Sequence, residues 1–157
     1  MAQSVINIQK HAVAGSTRLT ATKAVGGHGT QDIKISTDLD NGSIIGRGAL
    51  VAGEVYAMTA ATTFEGKIID KASNGNWYVE VNSAENAYLV LKVPTTYIDY
   101  TTSMRDEATF YNANGDIVRA YPLFKGDVFE LSAEGFDGTP AKDATVGVNA
   151  TYQVAIQ

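Results

Sequence analysis

The chain of 157 residues contains no cysteine. That absence excludes a disulfide framework, thiolate zinc sites and cysteine nucleophiles. Charged residues are also few, at 18%, below the usual quarter. No window approaches the roughly 20 apolar residues of a membrane span, and residues 1–15 contain no apolar run long enough for a signal peptide. We therefore expect a protein that is made and folded in a cytoplasm.

The residues that are abundant favour a β fold. Apolar residues make up 45% of the chain, and Thr, Val, Ile and Tyr, which suit strands, are frequent. This length usually forms one domain with a real core. We predict an all-β protein, either a small barrel or a two-sheet sandwich, because both architectures use the same alternation of apolar and polar residues.

The charge is acidic and uneven. The net charge of −5 argues against a protein that binds nucleic acid by neutralising phosphates. Residues 1–37 carry four basic residues against one acidic residue, a balance of +3 that leaves −8 for the remainder. A basic N-terminal segment on an acidic body could dock on an acidic partner, or it could be a solvated tail.

The chain divides at residue 30. Residues 1–30 are mostly small and polar, and Gly26-Gly27-His28-Gly29 interrupts any regular element. We predict an extended N-terminal arm over 1–30, which either orders on a partner or is a mobile terminus. Residues 31–157 are predicted to form a single β domain.

Two stretches of that domain, residues 41–60 and 114–133, are similar without a gap at a spacing of 73 positions. Seven aligned pairs are identical and six more keep size and polarity. Each copy begins with Asn-Gly and contains a Gly-acid pair, Gly53-Glu54 in the first and Gly126-Asp127 in the second. The repeat predicts two similar halves that pair around a pseudo-two-fold axis.

Asn-Gly pairs between alternating runs predict two hairpins. The first joins strands at 64–72 and 77–81, and the second joins 108–111 to 117–120. Residues 87–93 are apolar on both faces, which indicates a strand that is covered on both sides. Further strands are predicted at 31–36, 54–59, 128–131 and 151–156, an extended segment that could form a sheet edge at 95–102, and one helical turn at 104–107.

Several polar residues of the sequence could form chemical sites. Asp38 and Asp40 resemble the start of a calcium loop, but the Glu expected at its twelfth position is absent, so a simple turn is favoured. His11 and His28 lie in the predicted arm, which promises no rigid frame for catalysis. We predict no catalytic residue, no cofactor and no metal site.

Two further patterns have both a functional and a structural interpretation. Glu54 and Asp127 occupy equivalent positions and could form a glycosidase-like pair, although a Gly-acid turn that caps backbone amides is commoner. Four tyrosines on predicted strands could form a sugar- or partner-binding face, although packing within the sheet is favoured; they are Tyr78, Tyr88, Tyr97 and Tyr100.

Residues 112–136, NANGDIVRAYPLFKGDVFELSAEGF, resemble the C-terminal region of small head-decoration (cement) proteins of tailed bacteriophages. The shared motif is a Gly-Asp turn between apolar strands. The resemblance implies a non-enzymatic structural protein that binds the outer surface of a filled capsid, contacts the lattice of the major capsid protein, stabilises it and forms homo-oligomers. It implies no nucleic-acid or membrane partner, and a final location on the virion exterior.

Two alternatives remain open at the level of the sequence. One is a carbohydrate- or receptor-binding β module, resembling an adhesin. The other is an enzyme or regulator built on a pseudo-two-fold β-barrel, whose Gly-acid turns would shape a central cleft.

Overall fold

The computed structural model describes residues 11–20, 30–51, 55–92 and 110–157. Over these residues the chain is built from β-strands, which confirms the predicted all-β class. The strands are β1 (Ala14–Thr20), β2 (Gln31–Lys34), β3 (Ile44–Val51), β4 (Val55–Thr59), β5 (Thr63–Lys71), β6 (Trp77–Glu85), β7 (Tyr88–Val90), β8 (Ile117–Pro122), β9 (Val128–Leu131), β10 (Phe136–Asp137), β11 (Thr145–Val148) and β12 (Val154–Ile156).

The strands form two sheets, one of which closes into a barrel. The barrel order is β2-β4-β3-β7-β8, and β8 pairs back onto β2. Its pairs are antiparallel except β2 with β4. The second sheet has the order β1-β9-β6-β5-β11-β12-β10. Of the two predicted architectures, the barrel is therefore the one present, with a seven-stranded sheet beside it.

Two apolar cores lie on either side of the barrel wall, because strand residues alternate between faces. Ile45 and Val90 pack inside the barrel, whereas their neighbours Ile44 and Leu89 pack against the large sheet. The prediction that the strand around residue 89 is covered on both sides is confirmed, since Leu89 and Val90 are both fully buried. The strand itself is shorter than predicted.

The first Asn-Gly hairpin is confirmed. β5 and β6 pair antiparallel across it, with Lys71 opposite Trp77, and Gly75 has the positive φ of 91° that its turn requires. Val79 and Val81 share the buried face of β6, as the alternation predicts.

The second predicted hairpin is wrong in its strand partner. The turn at Asn114-Gly115 forms, with φ of 92° at Gly115, but β8 pairs with β2 and β7. Residues 108 and 109 of the predicted first strand lie outside the described residues, and Asn112 bridges to Leu39. Gly115 N donates to Ile35 O, and Asp116 O accepts from Ile35 N. Both ends of this contact lie just beyond the β2–β8 ladder, so the turn extends that ladder by one residue of the β2 side. The Asn-Gly sequence thus fixes a local turn without selecting the strand that pairs.

The two repeat copies agree in their turn and first strand and then diverge. Residues 41–60 give β3 and β4, which both belong to the barrel. Residues 114–133 give β8 in the barrel and β9 in the large sheet. The turn at residues 125–127 between them, in which Gly126 has a φ of 93°, carries the chain from one sheet to the other.

Part of the predicted arm belongs to the body. Within residues 1–30, β1 forms an antiparallel ladder with β9 at one end of the large sheet. Residues 1–10 and 21–29 lie outside the described residues, as do the predicted edge segment at 95–102, the predicted helical turn at 104–107 and Gly53-Glu54 of the first repeat.

Candidate functional site

A cluster of hydrogen-bonded polar groups surrounds the turn at residues 38–43, between β2 and β3. Ser43 closes this turn, because its backbone N and its Oγ both donate to Asp40 O, at 3.3 and 2.8 Å. Gly42 sits at φ of 91° and donates its N–H to Val90 O at 2.8 Å. A Cβ at Gly42 would overlap Leu131 Cδ1, so the turn packs tightly on the large sheet.

Asn41 joins this turn to two other segments of the barrel. Its Oδ1 accepts from Lys92 N at 3.0 Å and from Asn112 Nδ2 at 3.1 Å, while its Nδ2 donates to Lys92 O at 2.9 Å. Asn112 is fully buried and its Nδ2 also donates to Leu39 O at 3.1 Å. Asn112 Oδ1 is buried with no hydrogen-bond donor among the described residues. This network fixes three distant segments against one another.

Asp40 binds the N-terminal segment. His11 Nδ1 lies 2.7 Å from Asp40 Oδ1, and Ala12 N donates to Asp40 Oδ2 at 2.9 Å. The His11 ring also stacks on Tyr111, with centroids 5.0 Å apart. The sequence promised no rigid frame for His11, whereas the structure holds its ring on two sides. His28 lies outside the described residues.

A cleft of about 300 Å³ opens beside this turn. Its lining includes seven polar side chains: Asp38, Asp40, Asn41, Ser43, Glu134, Thr151 and Gln153. Such a lining suits a small hydroxyl-rich ligand, because hydroxyl groups both donate and accept.

The geometry around Asp38 and Asp40 is that of a turn. Asp38 Oδ1 accepts from Asn114 N at 2.8 Å, whereas the Asp40 oxygens face His11 and Ala12. The carboxylates therefore point to different partners of the chain itself. Among the described residues, no group of three or more His, Asp or Glu side chains could hold a metal ion.

Of the two Gly-acid turns, the one at Gly126-Asp127 lies within the described residues. Asp127 is fully buried, and its Oδ2 accepts from Phe124 N at 2.9 Å, which caps the turn at residues 124–127. Its predicted counterpart Glu54 lies outside the described residues, so the structure brings no such pair together in its described part.

Glu130 is a buried carboxylate that sequence reasoning missed. Asn74 Nδ2 and Asn76 Nδ2 donate to Glu130 Oε1 at 2.7 and 2.8 Å, which ties the β5–β6 turn to β9. The available signal was an acidic residue within the apolar run of β9, where a buried charge requires partners. The two asparagines of the Asn74-Gly75-Asn76 turn supply them.

The two described tyrosines of the predicted binding face lie on different sheets. Tyr78 is on β6 of the large sheet, whereas Tyr88 is on β7 and packs against the barrel core. Tyr97 and Tyr100 lie outside the described residues, as does the run Gly26-Gly27-His28-Gly29.

In comparisons with protein-family models, with curated proteins and with solved structures, no match was found. Within the part of the chain that the structure describes, no helix is long and apolar enough to cross a membrane.

Proposed function

We propose that this chain is a non-enzymatic structural protein that binds the outer surface of a tailed-phage capsid and stabilises it. Its partners are the lattice of the major capsid protein and further copies of itself. It is made in the host cytoplasm and resides on the virion exterior. The starting point is the resemblance of residues 112–136 to head-decoration proteins.

The observation that carries the proposal is how the buried polar side chains are used. Asp127 caps a turn, Glu130 accepts from two asparagine amides, and Asn41 bonds to the Lys92 backbone. Each hydrogen bond contributes on the order of 1 kcal/mol net, and those to charged groups contribute about 1.5–3 kcal/mol. Groups placed in this way rigidify a body, as a protein that reinforces a lattice requires.

The distribution of charge supplies a mode of attachment. Residues 1–37 carry a balance of +3 on a chain of net charge −5. A basic N-terminal segment is attracted to an acidic capsid surface, and many copies acting together make a modest affinity per copy sufficient.

The test is co-sedimentation of the full chain with filled capsids of the phage that encodes it. We expect binding that saturates at a fixed number of copies per capsid and weakens with salt. Protection of residues 1–10, which precede the segment paired with β9, from protease only when capsids are present would accompany it. Absence of saturable binding, or equal cleavage in both samples, would overturn the proposal.

Two charge-matched variants locate the attachment. Lys10→Gln with Lys23→Gln removes two positive charges from the N-terminal segment. Lys67→Gln with Lys142→Gln removes two from exposed surface pairs with Asp143 and Asp70, which contribute little to stability. Only the first variant should lose affinity for capsids, and equal losses would contradict attachment through the N-terminal segment.

A carbohydrate-binding module is the second candidate, and the polar cleft beside residues 38–43 favours it. In that case the isolated protein would bind defined sugars on a glycan array. Gln153→Ala and Thr151→Ala would then weaken binding, whereas Thr145→Ala, at an exposed position away from the cleft lining, would not. Glycan binding without capsid binding would replace the first proposal with this one.

A further inference from the structure

The strand β1 lies at one end of the large sheet and contacts it through a single neighbour. It pairs antiparallel with β9, and β9 pairs with β6 on its other side. The ladder is irregular, because Ala14 lies opposite Leu131 while Leu19 lies opposite Phe129. Between these two pairs the chain moves five positions along β1 but only two along β9, so the strands are out of regular register. An end strand held by an interrupted ladder is the easiest element of a sheet to detach.

The start of this segment is held by groups that belong to distant parts of the chain. Val13 and Ser132 form a reciprocal pair: Val13 N donates to Ser132 Oγ and Ser132 N donates to Val13 O, both at 2.9 Å. Asp40 accepts from Ala12 N, as described above. Ala12 and Ala14 are buried in the same apolar core as Leu131. Together, Asp40, Leu131 and Ser132 form the groove in which residues 11–14 bind.

None of these contacts requires that the bound segment come from the same molecule. Residues 21–29 connect β1 to the body and include three glycines. The ten steps from Thr20 to Thr30 span at most about 35 Å when extended. A segment of that reach can occupy the groove of an adjacent copy while making the same hydrogen bonds, which is the condition for strand exchange at low cost.

We propose that residues 11–20 are exchanged between copies of this chain, with β1 of one molecule pairing with β9 of its neighbour. The chain's own segment acts at an effective concentration on the order of mM. Exchange therefore dominates where copies are crowded, while dilute molecules keep their own β1. The inference concerns two copies of this chain alone and does not depend on capsid binding.

Cysteine cross-linking tests the exchange directly, because the natural chain has no cysteine. Val13 and Ser132 are joined by two hydrogen bonds, one of them through Ser132 Oγ, and they directly adjoin the antiparallel ladder pair Ala14 and Leu131. Facing residues of antiparallel strands have Cα atoms about 4.5–5.5 Å apart, within the range of a disulfide. The full chain is prepared as two variants, Val13→Cys and Ser132→Cys, one of them carrying a mass tag. The two are mixed at high concentration and oxidised without capsids.

We expect covalent heterodimers that increase with protein concentration. The matched control replaces Ser132→Cys with Ser83→Cys, an exposed serine on β6. Heterodimers should be several-fold more abundant with the cysteine at 132 than with the cysteine at 83.

The double variant Val13→Cys with Ser132→Cys controls for geometry. At high dilution it should form the bond within one chain. If it does so while the mixed single variants give no more heterodimer than the Ser83 control, exchange is excluded. If it forms no bond in either setting, residues 11–14 do not occupy this groove, and the proposal fails as well.

Discussion

The two copies of the repeat, residues 41–60 and 114–133, begin with the same Asn-Gly turn in different surroundings. Gly42 and Gly115 have nearly the same φ, 91° and 92°. Gly42 packs on Leu131 of the large sheet, whereas a Cβ at Gly115 would meet nothing within 4 Å. The same Asn-Gly sequence therefore forms a turn that is packed against the large sheet in the first copy and a turn that is open to solvent in the second.

The strands after the turns differ in the same way. The second strand of the first copy, β4, stays in the barrel, while its counterpart β9 enters the large sheet. Leu131 of β9 packs against the turn of the first copy. The two copies are thus not equivalent halves in contact across an axis; one supplies a turn and the other supplies the core residue that covers it.

The largest difference is expected between Leu131→Ala and Met58→Ala, which occupy equivalent repeat positions. Leu131 is fully buried, whereas Met58 is only partly buried against the barrel core. We expect a loss of about 3–4 kcal/mol in the free energy of unfolding for Leu131→Ala and about 1 kcal/mol for Met58→Ala. Denaturant unfolding measures both, and equal losses would show that the two positions are packed alike.

The equivalent glycines give the next contrast. Gly115→Ala forces a left-handed backbone on alanine at a cost of about 1–2 kcal/mol. Gly42→Ala adds overlap with a buried leucine, and we expect about 3 kcal/mol in total. Thermal and denaturant unfolding of the two variants check the order. A Gly42→Ala variant as stable as Gly115→Ala would mean that the turn does not pack on Leu131.

The smallest contrast concerns the asparagines before those glycines. Asn41→Ala removes two hydrogen bonds to the Lys92 backbone and one to Asn112, so we expect a loss of about 2 kcal/mol. The side chain of Asn114 is exposed, and Asn114→Ala should stay within about 0.5 kcal/mol of the natural chain. The free energies of unfolding decide, and a large loss at Asn114 would contradict the comparison.

The features that could be predicted from sequence are local. The turn at Asn74-Gly75, the alternation on β6 and the two covered faces of β7 follow from residue order within short windows. The Asn114-Gly115 turn was also predicted, but its pairing partner was not, because β8 finds β2 more than 80 positions away. An Asn-Gly pair sets backbone angles, whereas the partner of a strand is decided by which faces complete a core.

The polar cluster escaped prediction for the same reason. Asn41, Lys92 and Asn112 meet across separations of 51 and 71 positions. The reciprocal bonds of Val13 with Ser132 span 119 positions, so the N-terminal segment looked like a free arm in the sequence. The alternation of apolar and polar residues along the sequence carries no information about contacts between distant segments. Each of these polar side chains, taken alone, is typical of a turn.

The central functional claim is that the chain stabilises a capsid, and the thermal stability of the capsid tests it most directly. Filled capsids are heated with and without the full chain at saturating concentration, and DNA release is followed with a dye. We predict a higher release temperature, a smaller increase with the Lys10→Gln, Lys23→Gln variant, and a full increase with the Lys67→Gln, Lys142→Gln control. An unchanged release temperature at saturating concentrations of the chain would contradict the claim.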